Sequence, residues 1–200
     1  ALRGPHPGRV LPDYDAVIFD EAHQLEDIAT EFFGMRVSRR RLDRLLADTE
    51  RALRQAGAAD PLFGGDSAMR SVSAVEVSAD VFFHALGAAA GRDERITLER
   101  DIFSGEVRAA WHALDSALEG LSAAAEMARG RLTAPSLRGP RPASSLPEAL
   151  ELASRRSEDA RAALSQVVEG GAGRVTWLEQ GRKNITLGSS PVDLSTLFRE

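Results

Sequence analysis

Ala16-Val17-Ile18-Phe19-Asp20-Glu21-Ala22-His23 is the stretch that decides how this chain is read. Four apolar residues run straight into two carboxylates, a small residue and a histidine. Val, Ile and Phe suit a strand covered on both faces, as in a parallel sheet. Ligands of open α/β sheets sit beyond the carboxyl ends of the strands. The pattern therefore predicts a buried strand over residues 16–19 that stops at a polar site. An Asp in that place can hold Mg²⁺ on a nucleotide, and the adjacent Glu can polarise an attacking water. A solvated strand end or a plain helix start is the alternative. The helix-like Gln24-Leu25-Glu26-Asp27 that follows the pair favours the nucleotide reading.

Working outward, the chain has 200 residues, 43% hydrophobic and 28% charged, which predicts a packed core rather than disorder. Its net charge of −5 does not advertise a nucleic-acid binder, although a basic stripe can sit on an acidic protein. There is no cysteine, which excludes disulfides, thiolate zinc sites and an iron–sulfur cluster within these residues. No signal peptide is read, and the longest uncharged helical stretch, residues 81–91, is too short to span a bilayer. A cytoplasmic protein with no membrane partner is expected. Ala1 is not Met, and residues 194–200 stop within an amphipathic run, so a piece of a longer protein is expected.

Apolar spacing predicts a helix from Leu25 to Phe33 ended by Gly34, then a short extended Met35-Arg36-Val37. Ser38 reads as the N-cap of a helix reaching about Gln55. A long helix follows over residues 67–90, its apolar face carrying Met69, Val72, Val81, Phe82, Ala85, Leu86 and Ala89. Arg95-Ile96-Thr97-Leu98-Glu99 alternates as a brief strand. Ser104 reads as the cap of the clearest helix, with Val107, Ala110, Trp111, Leu114, Leu118, Leu121 and Ala125 in i, i+3, i+4 rhythm. After a Pro/Ser/Arg-rich loop, Ser145 and Glu148 fit a capping box before a helix that Gly170 stops. Residues 175–179 and 184–187 form a β-hairpin around Gln180-Gly181-Arg182-Lys183, and Asp193 or Ser195 starts a last helix. The fold class expected is mainly α: a helical bundle with a short N-terminal strand and a C-terminal hairpin.

The chemistry is incomplete. Gly-x-x-x-x-Gly-Lys-Ser/Thr, the phosphate-cradling loop, is absent, because the one lysine is Lys183 in Gly181-Arg182-Lys183-Asn184. Asp20, Glu21, His23, Glu26 and Asp27 are dense in metal ligands, but without zincin or di-iron spacing. A metal-dependent hydrolase is one alternative, and a non-enzymatic helical interaction module another. Arg39-Arg40-Arg41 meets phosphates or forms a solvated first helical turn. Arg138 and Arg141 read as part of a flexible loop. His84 and His112 read as surface or half-buried residues, Trp111 as core, and Trp177 as either core or a stacking surface.

Residues 11–27, Leu-Pro-Asp-Tyr-Asp-Ala-Val-Ile-Phe-Asp-Glu-Ala-His-Gln-Leu-Glu-Asp, closely resemble motif II of the DinG/XPD group of superfamily 2 DNA helicases. Ser190-Pro191-Val192-Asp193-Leu194-Ser195, continuing to Leu197-Phe198, is similar to that group's return into its second motor domain. The resemblance implies three parts: residues 1–37 as the end of the first motor domain with its DEAH motif, 38–174 as a helical arch, and 175–200 as a hairpin leading onward. It implies an ATP-dependent 5′→3′ helicase of DNA repair or replication whose arch helps to enclose single-stranded DNA. By position, Asp20 would hold the Mg²⁺ of ATP through water, with Glu21 beside it at the metal. Glu21 would activate the attacking water, and His23 would couple nucleotide state to DNA contacts. Arg39, Arg40 and Arg41 stand as candidate DNA contacts. The resemblance leaves open an iron–sulfur cluster upstream, because the group's cluster cysteines precede this motif. It also implies that these residues alone, working without the remainder of the helicase chain, are inactive as an ATPase.

Overall fold

The computed structural model of the chain describes residues 18, 20–24, 28, 32–59, 65–91, 93–134, 145–171, 173–182 and 184–192. Met35–Ser38 forms strand β1 and passes directly into helix α1, Arg39–Ala59. Ser38 acts as an N-cap: its Oγ accepts the Arg41 backbone N–H at 3.2 Å, while Asn184 Oδ1 accepts that of Arg40 at 3.0 Å. Two amides that a helix start leaves without partners are thereby satisfied. The other elements are helix α2 (Gly65–Ala90), strand β2 (Arg95–Leu98), helix α3 (Gly105–Thr133), helix α4 (Leu146–Glu169), and strands β3 (Arg174–Gly181) and β4 (Asn184–Pro191). Short 3₁₀ turns occupy Ala22–Gln24 and Arg100–Phe103.

Helix α3 supplies the core seam. Val107, Ala110, Trp111, Leu114, Leu118, Leu121, Ala125 and Ala128 are buried, and the seam packs against α2 on one side and α4 on the other. Facing it are Val75, Ala79, Phe82 and Leu86 of α2 and Leu150, Ala153, Leu164 and Val167 of α4. Helix α1 closes the ring between α2 and α4 with Leu42, Leu45, Leu46 and Leu53. The strands lie at one end: β1 feeds α1, β2 joins α2 to α3, and β3 follows α4. So α1 and α3 leave the sheet end and α2 and α4 return to it, the alternating course of an up-and-down bundle. Arg161 of α4 ties the last two helices with a two-pronged ion pair to Asp115 (Nε–Oδ1 2.9 Å, Nη2–Oδ2 3.0 Å). That hydrogen-bonded carboxylate holds the guanidinium pKa above its ordinary value.

The hairpin expected from sequence and the two short strands β1 and β2 join into one antiparallel sheet in the order β1-β4-β3-β2. Alternation along each strand gives it two faces. Val37, Ile96, Leu98, Leu178, Ile185 and Leu187 lie on the helices. Arg36, Gly188, Trp177 and Thr97 form one row across the opposite face, through the pairs Arg36↔Gly188, Gly188↔Trp177 and Trp177↔Thr97. The Trp177 ring lies so close over Gly188 that a Cβ there would fall inside it. The indole N–H donates to Ser190 Oγ at 3.2 Å.

Several expectations are corrected. Ile18, meant for a buried strand, is 96% exposed and in no strand; Ala16, Val17 and Phe19 lie outside the described residues. Both edges of the sheet are occupied by β1 and β2, and no described strand stands beside Ile18. Ile28, Phe32 and Phe33 are helical, while the other positions read on that helix, Leu25 and Ala29, lie outside the described residues. Helix α1 runs past Gln55 to Ala59. Ser104 and Ser145 stand at the starts of α3 and α4, but neither side chain caps its helix, so the box with Glu148 is not made. Ser145 has φ −74° and ψ 8° rather than the extended backbone a cap needs. Ser104 precedes Gly105, whose φ of +50° is no ordinary first turn. On α2, Val81 is 49% exposed and Ala89 is exposed, because Phe82, Phe83 and Leu86 turn the core face away from them. The hairpin turn is tighter than read, since β3 extends through Gly181. The Pro/Ser/Arg loop with Arg138 and Arg141, and the last helix, lie outside the described residues.

Residues Ser67–Ala90 are long and apolar enough to cross a membrane by length and composition, a wider stretch than the 81–91 run. The buried Val75, Ala79, Phe82, Phe83 and Leu86 account for that apolarity as bundle core.

Two substitutions test this packing. Leu118→Ala removes a side chain with no exposed surface and is expected to cost about 3 kcal/mol in urea unfolding. Gly188→Ala is expected to lower the melting temperature and red-shift Trp emission, because the indole must lift off the sheet to admit the methyl.

Candidate functional site

Asp20 and Glu21 sit in a turn that leads into the 3₁₀ segment Ala22–Gln24. Asp20 Oδ1 accepts the Glu21 backbone N–H at 2.9 Å, and the Glu21 carbonyl accepts the Gln24 N–H at 2.9 Å. Asp and Asn commonly close turns through such local bonds. Glu21 takes φ +52°, in the left-handed region, where a residue with a Cβ is strained by about 1–2 kcal/mol. That backbone brings the Glu21 carboxylate round to His23, with Oε2 3.1 Å from Nδ1. Asp20, Glu21 and His23 are all exposed. The structure thus brings Glu21 and His23 into contact and sets Asp20 beside them, but on an open turn rather than in a cleft.

No group of three or more His, Asp or Glu side chains placed to hold a metal ion occurs among the described residues. Glu26 and Asp27 lie outside them. The carboxylate oxygens of Asp20 and Glu21 are the hard donors that Mg²⁺ takes, so they fit part of a magnesium–nucleotide ligand set.

The arginine run splits by direction. Arg39 faces α2: its Nη2 lies 2.8 Å from Asp80 Oδ1, and its Nη1 lies 2.7 Å from Asp43 Oδ1, off the hydrogen-bond axis. Arg40 and Arg41 are exposed, and Arg41 Nη1 donates to the Arg36 carbonyl at 3.4 Å. His84 and His112 are exposed, Trp111 is buried, and Trp177 is only 7% exposed. The Trp177 ring is flanked by the guanidinium carbons of Arg36 and Arg95, 5.5 and 5.1 Å from its centroid. Sequence reading had no signal for that arrangement, because it depends on how β1, β2 and β3 are brought together in one sheet.

No protein-family model matches the chain. Over a short segment it is similar to ATP-dependent DNA helicases. The helicase is YoaA: the Escherichia coli K12 protein is 49% identical over 47 residues, 24% of this chain and 7% of that protein. The YoaA of Haemophilus influenzae is 46% identical over 41 residues, 20% of this chain and 6% of that protein. The matched part is thus under a tenth of either relative's length. These matches support a helicase relationship.

Elemental analysis of the purified chain tests the metal-hydrolase alternative. Less than a tenth of an equivalent of transition metal is expected. A stoichiometric ion lost in Asp20→Asn would establish that alternative instead.

Proposed function

We propose that this chain is part of an ATP-dependent 5′→3′ DNA helicase, with its DEAH motif on the exposed turn and its helical bundle serving as an arch beside single-stranded DNA. The observation that carries this reading is Asp20-Glu21-Ala22-His23 in a chain that is 49% identical to a DNA helicase over 47 residues. The residue roles follow the resemblance. Asp20 holds the magnesium of ATP through water, and bound ATP supplies the free energy of its hydrolysis. Glu21 takes the proton of the attacking water, a role that carboxylate chemistry allows. His23, in contact with Glu21 at 3.1 Å, couples nucleotide state to DNA contacts.

The phosphate-cradling loop is not among these 200 residues. The two carboxylates are therefore the hydrolytic part of a site, and the open turn is where the remainder of the helicase would close over them. A helical interaction module with no enzymatic role is the competing reading, favoured by the bundle's self-contained core.

The purified chain is expected to hydrolyse no ATP above background while binding an oligothymidine in a salt-dependent way. In the longer helicase, Glu21→Gln is expected to lower ATP turnover by about 10²–10⁴-fold with nucleotide binding retained. ATPase activity of the isolated chain, or full turnover by the Glu21→Gln helicase, would contradict the reading.

A further inference from the structure

The arginines along α1 have different surroundings. Arg39 is neutralised by Asp43 and Asp80. Arg41 and Arg44 are three residues apart, on one helical face, and that face looks across to α4. With Arg156 they line a groove of about 360 Å³ floored by Leu45 and Ala160. One carboxylate, Asp48, also lines it, 3.1 Å from Arg156 and 3.9 Å from Arg51. Three guanidiniums against one carboxylate leave the groove positive, on a chain whose net charge is −5. Arg44 has no ion pair among the described residues.

The groove also continues. Arg41 reaches the Arg36 carbonyl on β1. The Arg36 side chain lies over Trp177, and Arg95 lies over the same ring. Named contacts therefore connect the α1–α4 groove to the outer face of the sheet, where two guanidiniums cover the buried Trp177 indole.

We infer that this track, with the Arg41, Arg44 and Arg156 groove as its anchor, is the path of a single-stranded nucleic acid, its phosphates lying in the groove. The inference rests on the helicase reading and names the surface that reading needs. A run of positive charge that extends beyond one cavity fits a polyanion better than one free phosphate. Arg36 and Arg95 carry the positive charge onto the sheet, where Glu179 stands opposite Arg95, while the indole beneath them is too covered to stack on a base. On the helicase reading that polyanion is single-stranded. Of the sequence run, Arg41 belongs to the track and Arg39 does not; Arg44 and Arg156 join it.

The test is fluorescence anisotropy of the chain with fluorescein-labelled oligothymidine between 50 and 200 mM NaCl. Arg44→Glu/Arg156→Glu is expected to weaken binding about tenfold or more and to flatten the salt dependence by about one ion released per lost contact. Arg70→Glu/Arg129→Glu, an equal charge change on α2 and α3, is expected to stay within about twofold of the native chain. Asp48→Asn removes the groove's carboxylate and is expected to tighten binding about threefold, a gain that damage to the fold would not produce. The inference is overturned if the native chain binds but both double reversals act alike, or if Asp48→Asn weakens binding; the helicase reading then stands. If the native chain binds no oligothymidine, the DNA reading fails and the track fails with it.

Discussion

The burial of one face of α3 is the constraint on which the rest of the structure depends. Leu114, Leu118 and Leu121 have no exposed surface, and each such side chain contributes roughly 1.5–3 kcal/mol by leaving water. A helix with that face covered by both α2 and α4 leaves α1 one place, across from it between the same two neighbours. Once the helices alternate in direction, their connected ends gather on one side. The four strands are those connections, and they pair because the bundle holds them together.

The sheet closes the core and also makes a surface of different chemistry. Its inner face continues the bundle with Leu178 and Leu187. Its outer face turns Trp177 away from the helices, flattens it over Gly188 and covers it with two guanidiniums. Buried serines inside the bundle are paired, whereas the Trp111 indole N–H finds no partner among the described residues. Ser122 Oγ lies 3.2 Å from Glu158 Oε1 and 2.9 Å from Ser154 Oγ. The carboxylate can only accept, so Ser122 gives it its proton and Ser154 donates to Ser122. Arg100 Nη2 donates to the Gly170 carbonyl at 3.1 Å, satisfying the end of α4, where Gly170 takes φ +52°.

Helical periodicity was legible because it is local: every apolar position read on α3 is buried, from Val107 to Ala125. The hairpin was legible for the same reason. The four-stranded sheet was not, because β1 and β2 are four residues each and pair with β4 and β3 across more than seventy residues of sequence. Serines before helices gave one working cap of three. Ser38 bonds Arg41, whereas at Ser104 and Ser145 the backbone settles the helix start without the side chain. Nothing in the sequence showed that the side chains of the Arg39-Arg40-Arg41 run would part in the fold. Asp80 on α2 draws in Arg39, and Arg156 arrives from α4. Both are tertiary facts that no spacing encodes. In the DEAH stretch, residue types pointed to nucleotide chemistry, while the local structure follows from the Asp20 side chain closing a turn.

The buried core shares no residue with the exposed Asp20, Glu21 and His23. The bundle and sheet bury a continuous apolar core, whereas Asp20, Glu21 and His23 are exposed on a turn held by local bonds. Hydrogen exchange of the native chain, followed residue by residue, tests this most directly. Amides of Leu114, Leu118 and Leu121 are expected to exchange only through global unfolding, and those of Glu21 to Gln24 through local opening, orders of magnitude faster. Equal protection of the two sets would show that the motif belongs to the cooperative core and would contradict the account.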